Sequence, residues 1–106
     1  LYGLIEEGHI VCAAVLLEED ERWNDSIPSL YVHNLVSSRN IKGAGKRFFA
    51  CLEDYAHKQE KKYLRLDSAR DNPSLTSYYT SLGFIEVGTC IDGPYKGICR
   101  QKEVHY

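Results

Sequence analysis

The chain has 106 residues, of which 43% are hydrophobic and 26% charged, and its formal net charge is −2. These values are typical of one globular domain with a modest core, and the charge argues against broad nucleic-acid or membrane-surface binding. No apolar run approaches the roughly 20 residues of a membrane span, and nothing resembles a signal peptide. The sequence therefore predicts a single cytoplasmic domain over residues 1–106.

The first half of the chain is predicted to contain a hairpin and a third strand. β-forming residues flank a turn at Gly8, which is typical of a hairpin. The three predicted strands are residues 2–5, 9–17 and 29–37.

A polar loop over residues 18–28 separates the second and third predicted strands. Its start, residues 18–21, consists only of acidic side chains. Such a run could attract a cationic amine, but it is more often a solvated turn.

The second half is predicted to alternate strands with helices. Residues 44 to about 61 carry apolar side chains at helical spacing: Phe48, Leu52, Tyr55 and Ala56. Residues 63–69 alternate polar and apolar positions, which predicts a strand with one apolar face. Two closing strands, residues 84–90 and 98–104, surround turn residues 92–94.

A second helix has both ends marked in the sequence. Asn72 is a favoured N-cap, Pro73 suits the first helical position, and Gly83 can close the helix in the left-handed conformation. Its predicted buried stripe consists of Leu75, Tyr78, Tyr79 and Leu82.

A glycine-containing turn joins the third predicted strand to the first predicted helix. It consists of Asn40, Ile41, Lys42, Gly43, Ala44 and Gly45. Glycines allow close backbone approach, and the N–H groups of a first helical turn attract anions. Lys46 and Arg47 could neutralise phosphate there or lie on a solvated helix face. A plain tight turn is the alternative interpretation.

The cysteines and histidines indicate neither disulfides nor a metal site. The four cysteines contain no C-x-x-C pair, so free thiols are expected. The four histidines show no paired ligand spacing, so no zinc site is expected.

Two blocks of sequence resemble the GCN5-related N-acetyltransferase (GNAT) superfamily, whose members transfer an acyl group from coenzyme A to an amine. Residues 40–45 resemble the family's [QR]-x-x-G-x-[GA] turn, with Asn40 in place of the usual Gln or Arg. Residues 64–67, Asn72 and residues 79–84 resemble its strand, Asn-capped helix and Y-x-x-x-G-F ending. The similarity is strongest from about residue 30 to residue 87.

The resemblance implies an α+β fold with a mixed, mostly antiparallel sheet flanked by helices. The chain begins at what is similar to the family's second strand, so the first strand and two helices of the family pattern are not seen in this sequence. Without them the sheet would expose an edge and apolar surface, which favours a homodimer.

Acetyl-CoA is the cofactor that the resemblance implies, as the acyl donor. The glycine turn would bind its pyrophosphate, and backbone N–H groups on the third strand would bind its acyl carbonyl or pantetheine arm. The implied contacts are Leu35, Val36, Asn40, Ile41, Lys42, Gly43, Ala44, Gly45, Lys46, Asn72 and Tyr79.

Acetyl transfer to an amine needs an acid for the departing thiolate and a base for the amine. Tyr79 is the candidate acid, because a phenol can share a proton with a thiolate. The alternative is that its ring only packs against the sheet. His33 and Asp67 are the candidate bases. A hydrogen-bonded structural histidine is the commoner role for a residue such as His33.

Two functions remain open at this point. The first is an N-acetyltransferase that acts on a primary amine by direct attack in a ternary complex. The second is a non-catalytic CoA-binding or protein-interaction domain with a GNAT-like fold.

Overall fold

A computed structural model describes residues 2–6, 8–20, 23, 25–37 and 43–105, with only the backbone of residues 9, 11 and 37. In this part of the chain, six strands form one sheet of order β1-β2-β3-β4-β6-β5. The elements are β1 (Tyr2–Glu6), β2 (His9–Leu17), β3 (Ser29–Ser37), α1 (Ala44–Lys58), β4 (Tyr63–Ala69), α2 (Pro73–Ser81), β5 (Ile85–Asp92) and β6 (Tyr95–Glu103). The predicted element order is confirmed.

The sheet is mixed and mostly antiparallel. Only β3 and β4 run parallel, and their registered pairing covers residues 29–31 of β3 and 63–65 of β4. Beyond these pairs β3 stays paired with β2 and β4 with β6. The sheet therefore opens between the carboxyl ends of β3 and β4, and this opening positions the candidate site.

Helix α1 ends at Lys58, earlier than the predicted position near residue 61. Glu60 adopts a positive φ of 59°. Its N–H donates to the carbonyl of His57 at 3.0 Å, and the N–H of Lys61 donates to that of Ala56 at 2.9 Å. This is a Schellman closure without glycine, which the apolar spacing could not predict.

Helix α2 has the predicted ends. The Asn72 side chain accepts a hydrogen bond from the Leu75 N–H at 3.3 Å. Gly83 has a φ of 94°, and the Phe84 N–H donates to the Tyr79 carbonyl at 3.0 Å. The Y-x-x-x-G-F ending is thus a Schellman motif whose first and last aromatic residues pack together, with ring centroids 5.9 Å apart.

The core lies between α1, α2 and one face of the sheet. Aromatic rings meet edge to face where the helices approach each other, and Phe49 contacts Tyr79 and Phe84 at centroid distances of 6.2 and 5.4 Å. The predicted buried stripe of α2 is only partly correct, because Tyr79 is its one buried member whereas Tyr78 is 36% exposed. Tyr79 is therefore the tyrosine that packs on the sheet.

The polar face of β4, opposite the predicted apolar face, is covered at Arg65. The Arg65 side chain is 2% exposed and binds both carboxylate oxygens of Asp25 at 2.7 and 2.9 Å. Its guanidinium also lies over the Trp23 ring, 4.4 Å from the centroid. Part of the predicted polar loop thus packs against the sheet.

The last hairpin differs from the prediction at its second strand, which begins at Tyr95 rather than residue 98. Asp92 pairs with Tyr95, so the turn has only two residues and the strands extend up to it. The four cysteines all lie in the described ranges, and none forms a disulfide. Within those ranges no helix is long and apolar enough to cross a membrane.

Candidate active site

A cavity of about 350 Å³ lies where β3 and β4 diverge. Residues from both strands, from α2 and from the start of β6 line it. The lining residues with chemical groups relevant to acyl transfer are His33, Asp67, Tyr79 and Tyr95. The tertiary structure therefore brings both candidate bases and the candidate acid to one cavity.

A bulge in β3 shapes one wall of this cavity. Val36 pairs with Ala13 and His33 with Val15, so residues 34 and 35 stand opposite Ala14 alone. Asn34 has a φ of 53° at this point. Leu35 lines the cavity, whereas Val36 is 62% exposed. The bulge lies at Leu35 and next to Val36, the two strand residues that the resemblance implied as contacts of the donor.

Tyr79 combines a packed ring with access to the cavity. Burial raises the pKa of its hydroxyl above the ordinary value, although the nearby Arg100 acts in the opposite direction. The phenol is consequently protonated at neutral pH and can donate a proton or a hydrogen bond. The Tyr79 ring does pack against the core, as the alternative interpretation held, and this packing restricts the position of the hydroxyl.

Arg100 connects the elements around Tyr79, and sequence reasoning missed it. It is fully buried and donates to Ser68 on β4 and Thr76 on α2, both at 2.9 Å. Its guanidinium lies 5.9 Å from the Tyr79 ring centroid. These contacts fix α2 against the sheet. An arginine in a closing strand carries no sequence signal of burial, since its partners come from other elements.

The two candidate bases have different partners. Asp67 accepts a hydrogen bond from the Tyr95 hydroxyl at 2.6 Å. The Nε2 atom of His33 lies 2.8 Å from a carboxylate oxygen of Asp20. The Asp20 side chain is only 8% exposed, so the interpretation of the acidic run as a solvated turn is wrong for this residue.

The amino end of α1 borders a second cavity, also of about 350 Å³. Its lining includes Gly43, Ala44, Gly45, Lys46 and Tyr78. The N-cap, Gly43, has a φ of 75° and no side-chain capping bond, so a side chain does not cap the first N–H groups of the helix there. This geometry suits an anion.

Close packing explains the second glycine of the turn. A Cβ atom at Gly45 would overlap the Tyr78 hydroxyl. Arg47 is not among the residues that line the second cavity, and it forms a two-bond ion pair with Glu6 at 2.5 and 2.6 Å. Asn40, Ile41 and Lys42 lie outside the described residues, so their predicted roles stay predictions.

The two cavities border consecutive residues of α2, since Tyr78 lines one and Tyr79 the other. Asn72 and Val36 line neither of them. Among the described residues, no group of three or more His, Cys, Asp or Glu side chains could hold a metal ion.

Comparisons with known proteins give one consistent fold. No protein-family model matches the chain. An uncharacterized N-acetyltransferase of Bacillus subtilis, YesJ, is 28% identical over 86% of this chain, which spans 61% of that relative.

Solved structures align over most of the chain at lower identity. The ribosomal-protein-S18-alanine N-acetyltransferase of Escherichia coli has a TM-score of 0.72 at 19% identity, covering 98% of this chain and 68% of that one. A Bacillus anthracis acetyltransferase in complex with acetyl coenzyme A has a TM-score of 0.75 at 16% identity. The alignment covers 95% of this chain and 60% of that one. The chain has the GNAT fold, and the resemblance inferred from its motifs is confirmed.

Proposed function

We propose that this chain is an N-acetyltransferase that transfers an acetyl group from acetyl-CoA to a primary amine by direct attack in a ternary complex. The observation that carries the proposal is the cavity where β3 and β4 diverge, which holds His33, Asp67 and Tyr79 together. The curated relative's description as an N-acetyltransferase supports the activity. The acetyl-CoA bound to the Bacillus anthracis neighbour supports the donor.

The second cavity suits the diphosphate of the donor. Gly43 and Gly45 provide backbone without side chains, Lys46 adds a positive charge, and no acidic residue lies in the first turn of α1. Negative charge is favourable at a helix N-terminus. Because Tyr78 and Tyr79 are consecutive, a donor bound here could extend toward the first cavity along the unpaired edge of β3.

The first cavity supplies groups for the transfer step. The amine nitrogen attacks the thioester carbonyl carbon, the C–S bond breaks, and the thiolate takes a proton from Tyr79. His33 takes the proton that the amine loses, and the two side chains return to their resting protonation through solvent. Backbone N–H groups near the β3 bulge are the proposed donors to the carbonyl oxygen.

One experiment separates this function from a non-catalytic CoA-binding domain. The purified protein is examined by mass spectrometry for bound acetyl-CoA and is then incubated with acetyl-CoA and a panel of polyamines, amino-acid derivatives, aminoglycosides and peptide N-termini. We expect at least one acetylated amine. Acetyl-CoA binding with no product from any class would favour the non-catalytic domain.

We also propose a cytoplasmic homodimer. The edge strand β5 exposes large apolar side chains, with Ile85 60% and Ile91 72% exposed, and the opposite edge β1 exposes Ile5 to 65%. Association would cover such edges. Sedimentation velocity is expected to show a dimer at micromolar concentrations, and a stable monomer at high concentration would contradict this.

A further inference from the structure

Asp20 and His33 form a pair that no motif in the sequence indicates. Asp20 follows the end of β2, and its carboxylate lies 2.8 Å from Nε2 of His33 on the neighbouring strand β3. The Asp20 side chain is 8% exposed and that of His33 is 24% exposed. The pair is thus mostly shielded from water, while His33 still lines the cavity between β3 and β4.

The 2.8 Å contact between Nε2 and the Asp20 carboxylate selects one form of the neutral imidazole. An ionised carboxylate can only accept hydrogen bonds, so the hydrogen of neutral His33 must be on Nε2. The lone pair is then on Nδ1. The other carboxylate in the cavity, Asp67, already accepts a hydrogen bond from the Tyr95 hydroxyl at 2.6 Å, so one of its oxygens is engaged.

We infer that Asp20 is a positioning residue, which holds His33 in the Nε2–H form so that Nδ1 can accept the proton of the attacking amine. The inference rests on the proposed acetyl transfer for its role in catalysis. The carboxylate also stabilises the imidazolium that forms when Nδ1 takes this proton. Tyr79 and Tyr95 line the same cavity and are neutral when protonated, so among the described residues that line this cavity or pair with His33 the carboxylates are Asp20 and Asp67.

The tautomer can be measured without any substrate. Nitrogen-15 NMR of the imidazole rings at about pH 8, where histidines are mostly neutral, is expected to show wild-type His33 with its hydrogen on Nε2. The His33→Gln variant assigns the resonance. Asp20→Ala should give a mixture of tautomers, whereas Asp20→Asn keeps an accepting oxygen and should restore the Nε2–H form. A wild-type Nδ1–H form, or no change in Asp20→Ala, would overturn the inference.

Kinetics on the acetylated amine test the catalytic consequence. Asp20→Ala should lower kcat about tenfold to a hundredfold, the scale found for carboxylates that orient metal-bound histidines, with KM for acetyl-CoA unchanged. Asp20→Asn should recover part of kcat. The neighbouring, exposed Glu19 provides the matched control, and Glu19→Ala should behave like wild type. An unchanged kcat in Asp20→Ala would refute the positioning role. Failure of acetyl-CoA to bind would instead refute the proposed function, and the NMR experiment alone would then decide whether Asp20 sets the tautomer of His33.

Discussion

Replacement of Tyr79 by phenylalanine is expected to lower kcat by about 10²-fold to 10⁴-fold, the range attributed to general acid–base groups. The melting temperature and acetyl-CoA affinity should stay nearly unchanged. The ring makes the packing contacts with Phe49 and Phe84, and phenylalanine keeps the ring. Tyr79 lines the cavity, and among the described residues no hydrogen bond to its hydroxyl is present. Steady-state kinetics and thermal unfolding of the same samples provide the measurement.

Tyr78→Phe is the matched control for this change. Tyr78 precedes Tyr79 on α2 but is 36% exposed and lines the other cavity. Removal of the Tyr78 hydroxyl should leave kcat, measured at saturating acetyl-CoA, at the wild-type value. If Tyr79→Phe also turns over like wild type, the thiolate leaves without proton donation from α2 and the acid role is wrong.

Acetyl-CoA is expected to stabilise the native state by roughly 2.7 kcal/mol when present at about 100 times its dissociation constant, because it binds only the folded protein. A thermal-shift titration should therefore show a melting temperature that rises with ligand concentration. We expect this effect to depend on the amino end of α1, since the glycine backbone and Lys46 border the cavity proposed for the diphosphate.

Lys46→Glu is the change that tests this location. A carboxylate in the first turn of a helix interacts favourably with the helix dipole and stabilises the helix. The unliganded variant should therefore unfold at or slightly above the wild-type temperature. The same carboxylate repels phosphate, so the shift with acetyl-CoA should decrease strongly. Gly45→Glu would be harder to interpret, because its side chain would also displace the Tyr78 hydroxyl.

Lys58→Glu provides the control for net charge. Lys58 is exposed at the last turn of the same helix, so the charge changes equally at the other end of α1. This variant should be slightly less stable, since a negative charge is unfavourable at a helix C-terminus, but it should keep the full acetyl-CoA shift. Equal shifts in both variants would remove the amino end of α1 from the proposed site.

The sequence by itself determined the elements whose causes are local. Asn72, Pro73 and Gly83 act on backbone groups within a few residues of themselves, so both ends of α2 were predictable. The alternation of β4 and the spacing of α1 predicted those elements for the same reason. Two motifs with fixed spacing indicated the superfamily and thereby the fold, the glycine turn and Tyr79.

Only the tertiary structure decided which side chains meet. The burial of Arg65 and Arg100 depends on loop, strand and helix residues 24 to 40 positions away in sequence. The pairing of Asp20 with His33 depends on the position of Asp20, just after β2, beside β3. A charged residue buried by distant partners has the same local pattern as an exposed one, since its desolvation is offset by contacts that exist only in the folded chain. For that reason His33 could be proposed as a base from the sequence. Asp20, which we infer orients it, could be identified only from the folded structure.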